Sequence, residues 1–551
     1  MAPLDTKLQY IPRIIRVLTL CCYSANALEY IIVGGGLAGC VVAHRLKRYR
    51  SSSLILVIEA GLDVSDNTDI LHFNSLNFIG GQFDWGYKTV PQKNYDGREI
   101  HILAGRALGG GSVINGCGWF RGARADYDSW AEAVSDNRWS YDGQLPYFKM
   151  TERWFNDDAE VISHHGLDGA MQIESPKYTK RIYPLADITE KAWVKAGVNV
   201  LPGIDMNAGI NIGLGELNEN RVKGARQIAP LVYPLDGVTV KTNTLVASII
   251  LEGTRATGVL LADGTQIFSQ EVVVTAGAYR TPQLLLLSGI GPKETLEKHG
   301  IEVKVESPDV GSNFNDHVMM HLNWKLKDPS QGYALGSANP IFAKPEFATG
   351  TPLSYVVGTS VPRDVLEVAI AKDEGQDSVT PEHYLPPLGI DGTHISNALM
   401  ALKPTSRGTV TISSQGPKDA PLLDPNYFAT EVDKAVWRCS LRKITELMTG
   451  DTALGQVVSG ETPIPGFEPL RPDSSNDYLD KRVKAQAIST FHGSGSCSMG
   501  KVVDGDLRVK GVENLPIADA SVFLISIGAH IQAAVYALAE QAAVIIAAKK
   551  P

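Results

Sequence analysis

The chain has 551 residues, too many for one simple core, so roughly two to three domains are expected. Hydrophobic residues make up 44% and charged residues 20%, the balance of an ordinary globular protein. A formal net charge of -9 excludes the basic face that a nucleic-acid partner would need.

Residues 1–27 read as an N-terminal extension. Lys7, Arg13 and Arg16 precede the apolar run Val17-Leu18-Thr19-Leu20-Cys21-Cys22, and Ala25-Asn26-Ala27 has the form of a signal cleavage site. The run is short and the first strand follows at once, so an extension is expected in preference to a signal peptide. No uncharged apolar run reaches about 18 residues, so no membrane span is expected. Cys21, Cys22, Cys40, Cys117, Cys439 and Cys497 form no CxxC pair, and the chain has no Asn-X-Ser/Thr sequon. Both features lean toward an intracellular, cytoplasmic protein with reduced thiols, with secretion as the alternative.

Residues 29–39 read as a buried strand entering a glycine turn, and 37–48 as a helix. Leu54–Ile58 is a second apolar strand, followed by Glu59-Ala60-Gly61. This is a βαβ unit of a parallel sheet covered on both faces. Shorter strands are expected at Val238–Lys241, Gly258–Leu261 and Glu271–Val274, the last running into the turn Thr275-Ala276-Gly277-Ala278. Residues from about 325 to 485 are rich in proline and aromatics, include a strand at Thr409–Ile412, and read as a separate substrate domain. Ala533–Ala548 is a strong helix that returns to the first domain.

Gly34-x-Gly36-x-x-Gly39 follows a strand, opens a helix, and has an acidic residue, Glu59, about 20 residues further on. The glycines let backbone N–H groups approach a pyrophosphate at the positive end of a helix. Glu59 suits a ribose with free hydroxyls, which selects FAD or NAD over NADP.

Further blocks separate FAD from NAD. Gly105-Arg106-Ala107-Leu108-Gly109-Gly110-Gly111-Ser112-Val113-Ile114-Asn115-Gly116 precedes Phe120-Arg121-Gly122 and Asp126-Tyr127-Asp128. Gly277-Ala278-Tyr279-Arg280-Thr281-Pro282-Gln283 leads to Ser288-Gly289-Ile290-Gly291. Asp84-Trp85-Gly86-Tyr87, Asp316-His317, Ser406-Arg407-Gly408 and Pro425-Asn426-Tyr427-Phe428 lie between and beyond them. Near the C-terminus come Phe491-His492-Gly493-Ser494-Gly495 and Gly528-Ala529-His530-Ile531-Gln532. Together these resemble the glucose-methanol-choline (GMC) oxidoreductase family of FAD enzymes, from about Leu28 to the C-terminus.

The resemblance implies an α/β fold: a Rossmann-like FAD-binding domain with a discontinuous substrate-binding domain containing an antiparallel sheet flanked by helices. The expected boundaries are 28–155, 210–315 and 487–551 for the FAD domain, and 156–209 and 316–486 for the substrate domain. Bound FAD is implied, held by Gly34, Gly36, Gly39, Glu59, Gly109, Ser112, Asn115, Val246, Asp519 and Ala520. His101 falls one position off the site where some relatives attach flavin, so the FAD is expected to be non-covalent. Gly111 stands where the family usually has serine.

The resemblance also assigns His492 as general base and His530 as its partner, with the final helix aimed at the flavin. Chemically, a near-neutral base makes the alcohol oxygen alkoxide-like, so that hydride can leave carbon for flavin N5. Phe491 and Tyr87 are expected to line the substrate pocket, and the aromatic lid residues Trp85 and Tyr87 favour an apolar or aromatic alcohol. Oxygen or another acceptor would take the electrons, and a role in secondary metabolism is the expected setting. A non-redox lyase or cyclase using the same pair, with FAD as scaffold, is the alternative. His317 and His321 stand four apart, but no third ligand accompanies them, so no metal is expected. His164-His165 reads as loop surface. Nothing in the sequence signals an oligomeric state.

Overall fold

The computed structural model describes residues 28–72, 80–155, 161–175, 185–222, 225–329, 347–350, 355–358 and 394–549. The N-terminal extension and most of 330–393 therefore lie outside the described residues.

The nucleotide-side sheet has four parallel strands in the order Thr239–Lys241, Ile55–Ile58, Tyr30–Val33, Glu271–Val274. Three of the four segments, YIIV, ILVI and EVVV, are buried at every position. Such buried runs, dominated by Val and Ile, suit a strand covered on both faces. Their register aligns Val33 with Ile58 and Val274, so all three strands end together at one edge. Gly34, Glu59 and Thr275 follow directly and gather there.

Leu37–Tyr49 forms the crossover helix. The final helix, Gln532–Ala548, packs against it and against the helix Tyr141–Thr151. The final helix is apolar around most of its circumference, and its alanines let neighbouring backbones come close. Arg45 Nε donates to the buried Glu540 Oε2 at 2.6 Å, pinning the two helices together. Among the described residues, no helix is long and apolar enough to cross a membrane.

The second large layer is a seven-stranded antiparallel sheet. Its path runs Val458–Thr462, Val318–Leu326, His394–Ala401, Tyr355–Gly358, Phe347–Gly350, Gly213–Glu216, with Ile488–Ser489 also paired to Val318–Met319. Val318, Met320, Leu322 and Trp324 share one face and pack in a core with Trp437, Leu441 and Ile444 of the helix Glu431–Thr449. Period-two alternation thus leaves Met319 and His321 to the opposite face.

Two expectations need correction. Gly213–Glu216 belongs to this antiparallel sheet, although it falls within the span 210–315 expected for the FAD domain; Ile488–Ser489 likewise crosses the expected boundary at 487. His165 is not loop surface. It is 4% exposed, stacked on Trp154 with ring centroids 3.5 Å apart, and placed between Glu152 Oε2 and Asp205 Oδ2 at 3.0 Å each.

Candidate active site

A cavity of ≈ 530 Å³ extends from the glycine turn to the C-terminal histidines. Its nucleotide end is lined by Gly34, Gly36, Leu37, Ala38, Glu59, Val246, Gly277, Asp519 and Ala520. Gly34 has φ +99°, and a Cβ there would lie 2.6 Å from Thr275 O. The same addition at Gly36 would meet only Gly110 Cα, at 3.9 Å, so that position opens onto the cavity. The helix begun at Leu37 has no side-chain cap, which leaves its first N–H groups for an anion.

Glu59 accepts from Gly35 N at 2.8 Å and Gly61 N at 2.7 Å. Burial pushes its carboxyl up to about 7 despite these bonds. Asp519 accepts from Gly277 N, Thr281 Oγ1 and Ser521 N at 3.0, 2.6 and 2.8 Å, and burial raises it too. An uncapped helix start, an open glycine cradle and a carboxylate beside it fit a dinucleotide.

Gly39, Gly109 and Ser112 do not line the cavity. A Cβ on Gly39 would lie 2.0 Å from Gly34 O, so this glycine serves the tightness of the turn. Gly109 N donates to Gly35 O at 2.7 Å, which joins the two glycine loops. The Ser112 hydroxyl donates to Gly109 O at 2.7 Å and accepts from Ala229 N at 3.0 Å, so it braces the loop from behind.

Asn115 lines the cavity, but its amide is committed to protein. It donates to Gln532 Oε1 at 3.0 Å and accepts from Cys117 N at 3.1 Å and Arg226 Nη1 at 2.7 Å. Arg226 also donates to Asn115 O and Ser112 O, and burial pushes it down to about 10. Gly110, Gly111 and Gly116 line the cavity with bare backbone, and a Cβ on Gly111 would meet nothing within 4 Å. Ile531 and Gln532, at the uncapped start of the final helix, face the same space.

At the far end sit His492, His530 and Phe491. Phe491 has φ 64°, a left-handed conformation uncommon for a bulky residue. Ser489 Oγ accepts from Phe491 N at 2.7 Å and Asp316 Oδ1 accepts from His492 N at 2.8 Å, which holds that turn. His492 Nε2 lies 3.1 Å from His530 Nδ1, and its Nδ1 lies 2.9 Å from Nδ1 of His317. His317 Nε2 is 2.8 Å from Ser526 Oγ, whose hydroxyl donates to Leu402 O at 3.2 Å.

This network orders the protons. Ser526 donates to Leu402, so it accepts from Nε2–H of His317. His317 Nδ1 is then an acceptor, His492 carries its proton on Nδ1, and the lone pair of His492 Nε2 turns toward His530. Burial pushes His317 down to about 3 and His530 to about 4. Burial, with His530 and His317 as neighbours, pushes His492 well below the ordinary imidazole value. All three rings are therefore neutral near pH 7, and the arrangement presents one acceptor and one donor to a hydroxyl group.

The pairing of His317 with His492 is not legible in the sequence, where His317 stands only in a family-like stretch and four residues from His321. The two are 175 residues apart, and no local pattern announces the contact. Tyr87 lines the cavity, stacked on Trp85 at 5.8 Å, with Arg280 over the Trp85 ring at 4.1 Å. His321 also lines it, on a strand rather than a helix.

Residues 28–319 match the N-terminal family model described as GMC oxidoreductase, and 404–539 match its C-terminal counterpart. A GMC-type oxidoreductase acuG from Aspergillus aculeatus is 39% identical over 542 residues, covering 94% of this chain and 99% of the relative. An oxygen-dependent choline dehydrogenase from Pseudomonas fluorescens is 31% identical over 557 residues, covering 96% and 95%. The crystal structure of pyridoxine 4-oxidase from Mesorbium loti superposes with a TM-score of 0.77 at 28% identity, covering 94% of this chain and 98% of that one.

Proposed function

The chain belongs to the GMC oxidoreductase family of FAD-dependent enzymes acting on CH–OH groups, and from that premise we propose that it oxidises a neutral, apolar or aromatic alcohol to a carbonyl compound. The observation that carries this reading is the 3.1 Å pair of His492 Nε2 and His530 Nδ1 on the wall of the cavity that also holds the glycine cradle.

An alcohol oxygen entering between the two rings replaces their direct hydrogen bond. Its O–H donates to His492 Nε2, and its lone pair accepts from His530 Nδ1–H. His492 then takes the hydroxyl proton, and His530 holds the developing alkoxide in place. His317 keeps the His492 proton on Nδ1, so the accepting lone pair stays on Nε2. When bound, FAD supplies the hydride acceptor. Gly34, Gly36, Glu59, Val246, Asp519 and Ala520 would hold its nucleotide part, with the 110–116 loop and the start of the final helix toward the ring. Non-covalent attachment is supported by His101, which does not line the cavity and whose Nε2 lies 3.1 Å from Asp84 Oδ2.

The reacting end supports a neutral substrate. Met319, Met400, Ala398, Leu217 and Phe491 line it with apolar surface. Among the described residues, the carboxylates lining the cavity are Glu59 and Asp519, both tied to backbone N–H groups at the glycine-turn end. A quaternary ammonium would have no carboxylate to face at the histidine end.

The test is anaerobic mixing of the FAD-loaded protein with a panel of aryl and alkyl alcohols. Loss of the oxidised flavin's visible absorption, with one carbonyl product per flavin, supports the reading. Product formed with no flavin reduction would instead identify non-redox lyase or cyclase chemistry at the same pair.

A further inference from the structure

The substrate-side wall contains one imidazole that the proton-abstracting network does not use. Met319 and His321 project from the same face of Val318–Leu326, and their cross-strand partners are Met400 and Ala398. All four line the cavity. Two rungs of one ladder thus build a wall of three apolar side chains and one imidazole.

The ring of His321 has no hydrogen-bond partner among the described residues, although its backbone carbonyl accepts from Gln486 Nε2 at 2.5 Å. Each of the three histidines of that network, His317, His492 and His530, has a ring nitrogen paired at 3.1 Å or less. Burial alone pushes His321 down to about 4, with no neighbouring charge adding to the shift. The ring is therefore neutral at physiological pH, with one N–H donor and one lone-pair acceptor. His321 is half-buried and opens onto the cavity, so its ring nitrogens are left for cavity water or a ligand to complete. An apolar residue would suit Met319, Met400 and Ala398 better as a neighbour if packing were its only role.

We propose that His321 is a specificity-determining residue that hydrogen-bonds a second polar group, a hydroxyl or carbonyl, on a neutral aromatic alcohol whose reacting hydroxyl sits at His492 and His530. This rests on the alcohol-oxidising reading above. A carboxylate on the substrate is disfavoured, because a neutral imidazole offers it one N–H and no charge. A purely hydrocarbon ring is disfavoured, because it leaves the imidazole unpaired. The class that remains is a phenolic or carbonyl-bearing aromatic alcohol.

The test uses the FAD-loaded protein and product analogues, so it needs no turnover. Matched pairs of aldehydes, 3- and 4-hydroxybenzaldehyde against the methyl analogues, and 6-hydroxy- against 6-methyl-2-naphthaldehyde, are titrated while the flavin absorption is followed. At least one pair is expected to favour the hydroxylated member by about tenfold in Kd, the worth of one good hydrogen bond. In His321→Leu that ratio collapses toward unity, and in His321→Gln, which keeps a donor and an acceptor, most of it returns. The inference is overturned if no pair shows a preference in the unaltered protein, or if the preference survives in His321→Leu. Anaerobic flavin reduction by the corresponding alcohols is scored separately. A protein that binds with the predicted preference yet reduces no flavin would refute the oxidation and leave the recognition role standing.

Discussion

His317 Nδ1 lies 2.9 Å from His492 Nδ1, with the two rings nearly perpendicular at 87°. Two neutral imidazoles can share that contact only if one donates and the other accepts. The serine behind His317 makes it the acceptor. Replacing His317 with Phe removes the acceptor and frees His492 to flip its proton to Nε2, where it cannot act as base. We expect kcat to fall by about 10²-fold, within the range that general-base catalysis supplies, while FAD stays bound. His317→Gln, whose amide oxygen can still accept, should recover part of the loss. A purely structural role would lower FAD content and thermal stability in both variants alike.

His492→Ala removes the proposed base itself. Turnover should drop by about 10²- to 10⁴-fold, with an unchanged oxidised-flavin spectrum. His530→Asn retains a donor for the alcohol oxygen and should lose less activity than His530→Ala. Equal turnover in His492→Ala and the unaltered protein would remove His492 from the mechanism.

The pH dependence follows from the direction of the shifts. Burial lowers the whole trio, so the base stays neutral, and competent, at pH 7. kcat/KM should be flat near neutrality and fall only on acidification, with an apparent midpoint below the ordinary imidazole value of about 6.5. That midpoint belongs to the coupled trio rather than to one ring. The same shifts bear on stability. A group whose folded pKa is depressed contributes stability that is present above its unfolded pKa and is lost as pH falls. For His317 and His530 that window opens below about 6.5 and closes near 3 and 4. An acid limb centred above pH 7 would contradict the neutral trio.

Gly111 departs from the family's usual serine, and the structure has room for one. A Cβ there meets nothing within 4 Å, and the residue lines the cavity. Gly111→Ser should change the melting temperature by no more than about 2 °C, as for an unstrained exposed site. It should still shift the visible flavin spectrum or reduction potential, because it adds a hydroxyl to the wall of the cavity proposed to hold the flavin. Gly34→Ala is the contrasting case: φ +99° and a Cβ 2.6 Å from Thr275 O predict a protein purified with little or no FAD.

The parts of the fold that were legible in the sequence are those set by local pattern. The runs at Tyr30–Val33, Ile55–Ile58 and Glu271–Val274 announce parallel strands because, Glu271 apart, they are apolar, and they end in glycine-bearing turns. The alanine-rich segment announces the final helix, which is observed at Gln532–Ala548. What was misread depends on partners far along the chain. Gly213–Glu216 looks like part of the nucleotide domain until its pairing with Phe347–Gly350 is known. His165 looks like a surface loop residue until Glu152 and Asp205, 13 and 40 residues away, close on its two nitrogens. The partner of His492, the proposed base, is hidden in the same way, since His317 reaches it across 175 residues. Motifs mark where the chain turns and which groups carry chemistry; tautomers and buried pairs are set by tertiary contacts.

The buried network around His165 gives a stability prediction independent of activity. Arg121 Nε donates to Glu152 Oε1 at 2.8 Å and its Nη2 is paired with Glu152 Oε2; both side chains are fully buried. Trp119 Nε1 adds a third donor to Glu152 at 2.8 Å. Burial alone would push Glu152 up, but Arg121 and His165 bring it down to about 2. Its stabilising contribution is therefore present above the unfolded carboxyl value of about 4.3 and is lost as pH falls toward 2. Arg121→Met keeps the volume and removes the cation, leaving a buried carboxylate short of its main partner. Denaturant unfolding at pH 7 should show a loss of about 3–5 kcal/mol, the usual cost of breaking such a pair from one side. The double variant Arg121→Met/Glu152→Gln should lose less than Arg121→Met alone, because the stranded charge is gone. If the single and double variants were equally destabilised, the cost would lie in packing against Phe148, whose ring sits 5.2 Å from the guanidinium carbon, and not in the ion pair.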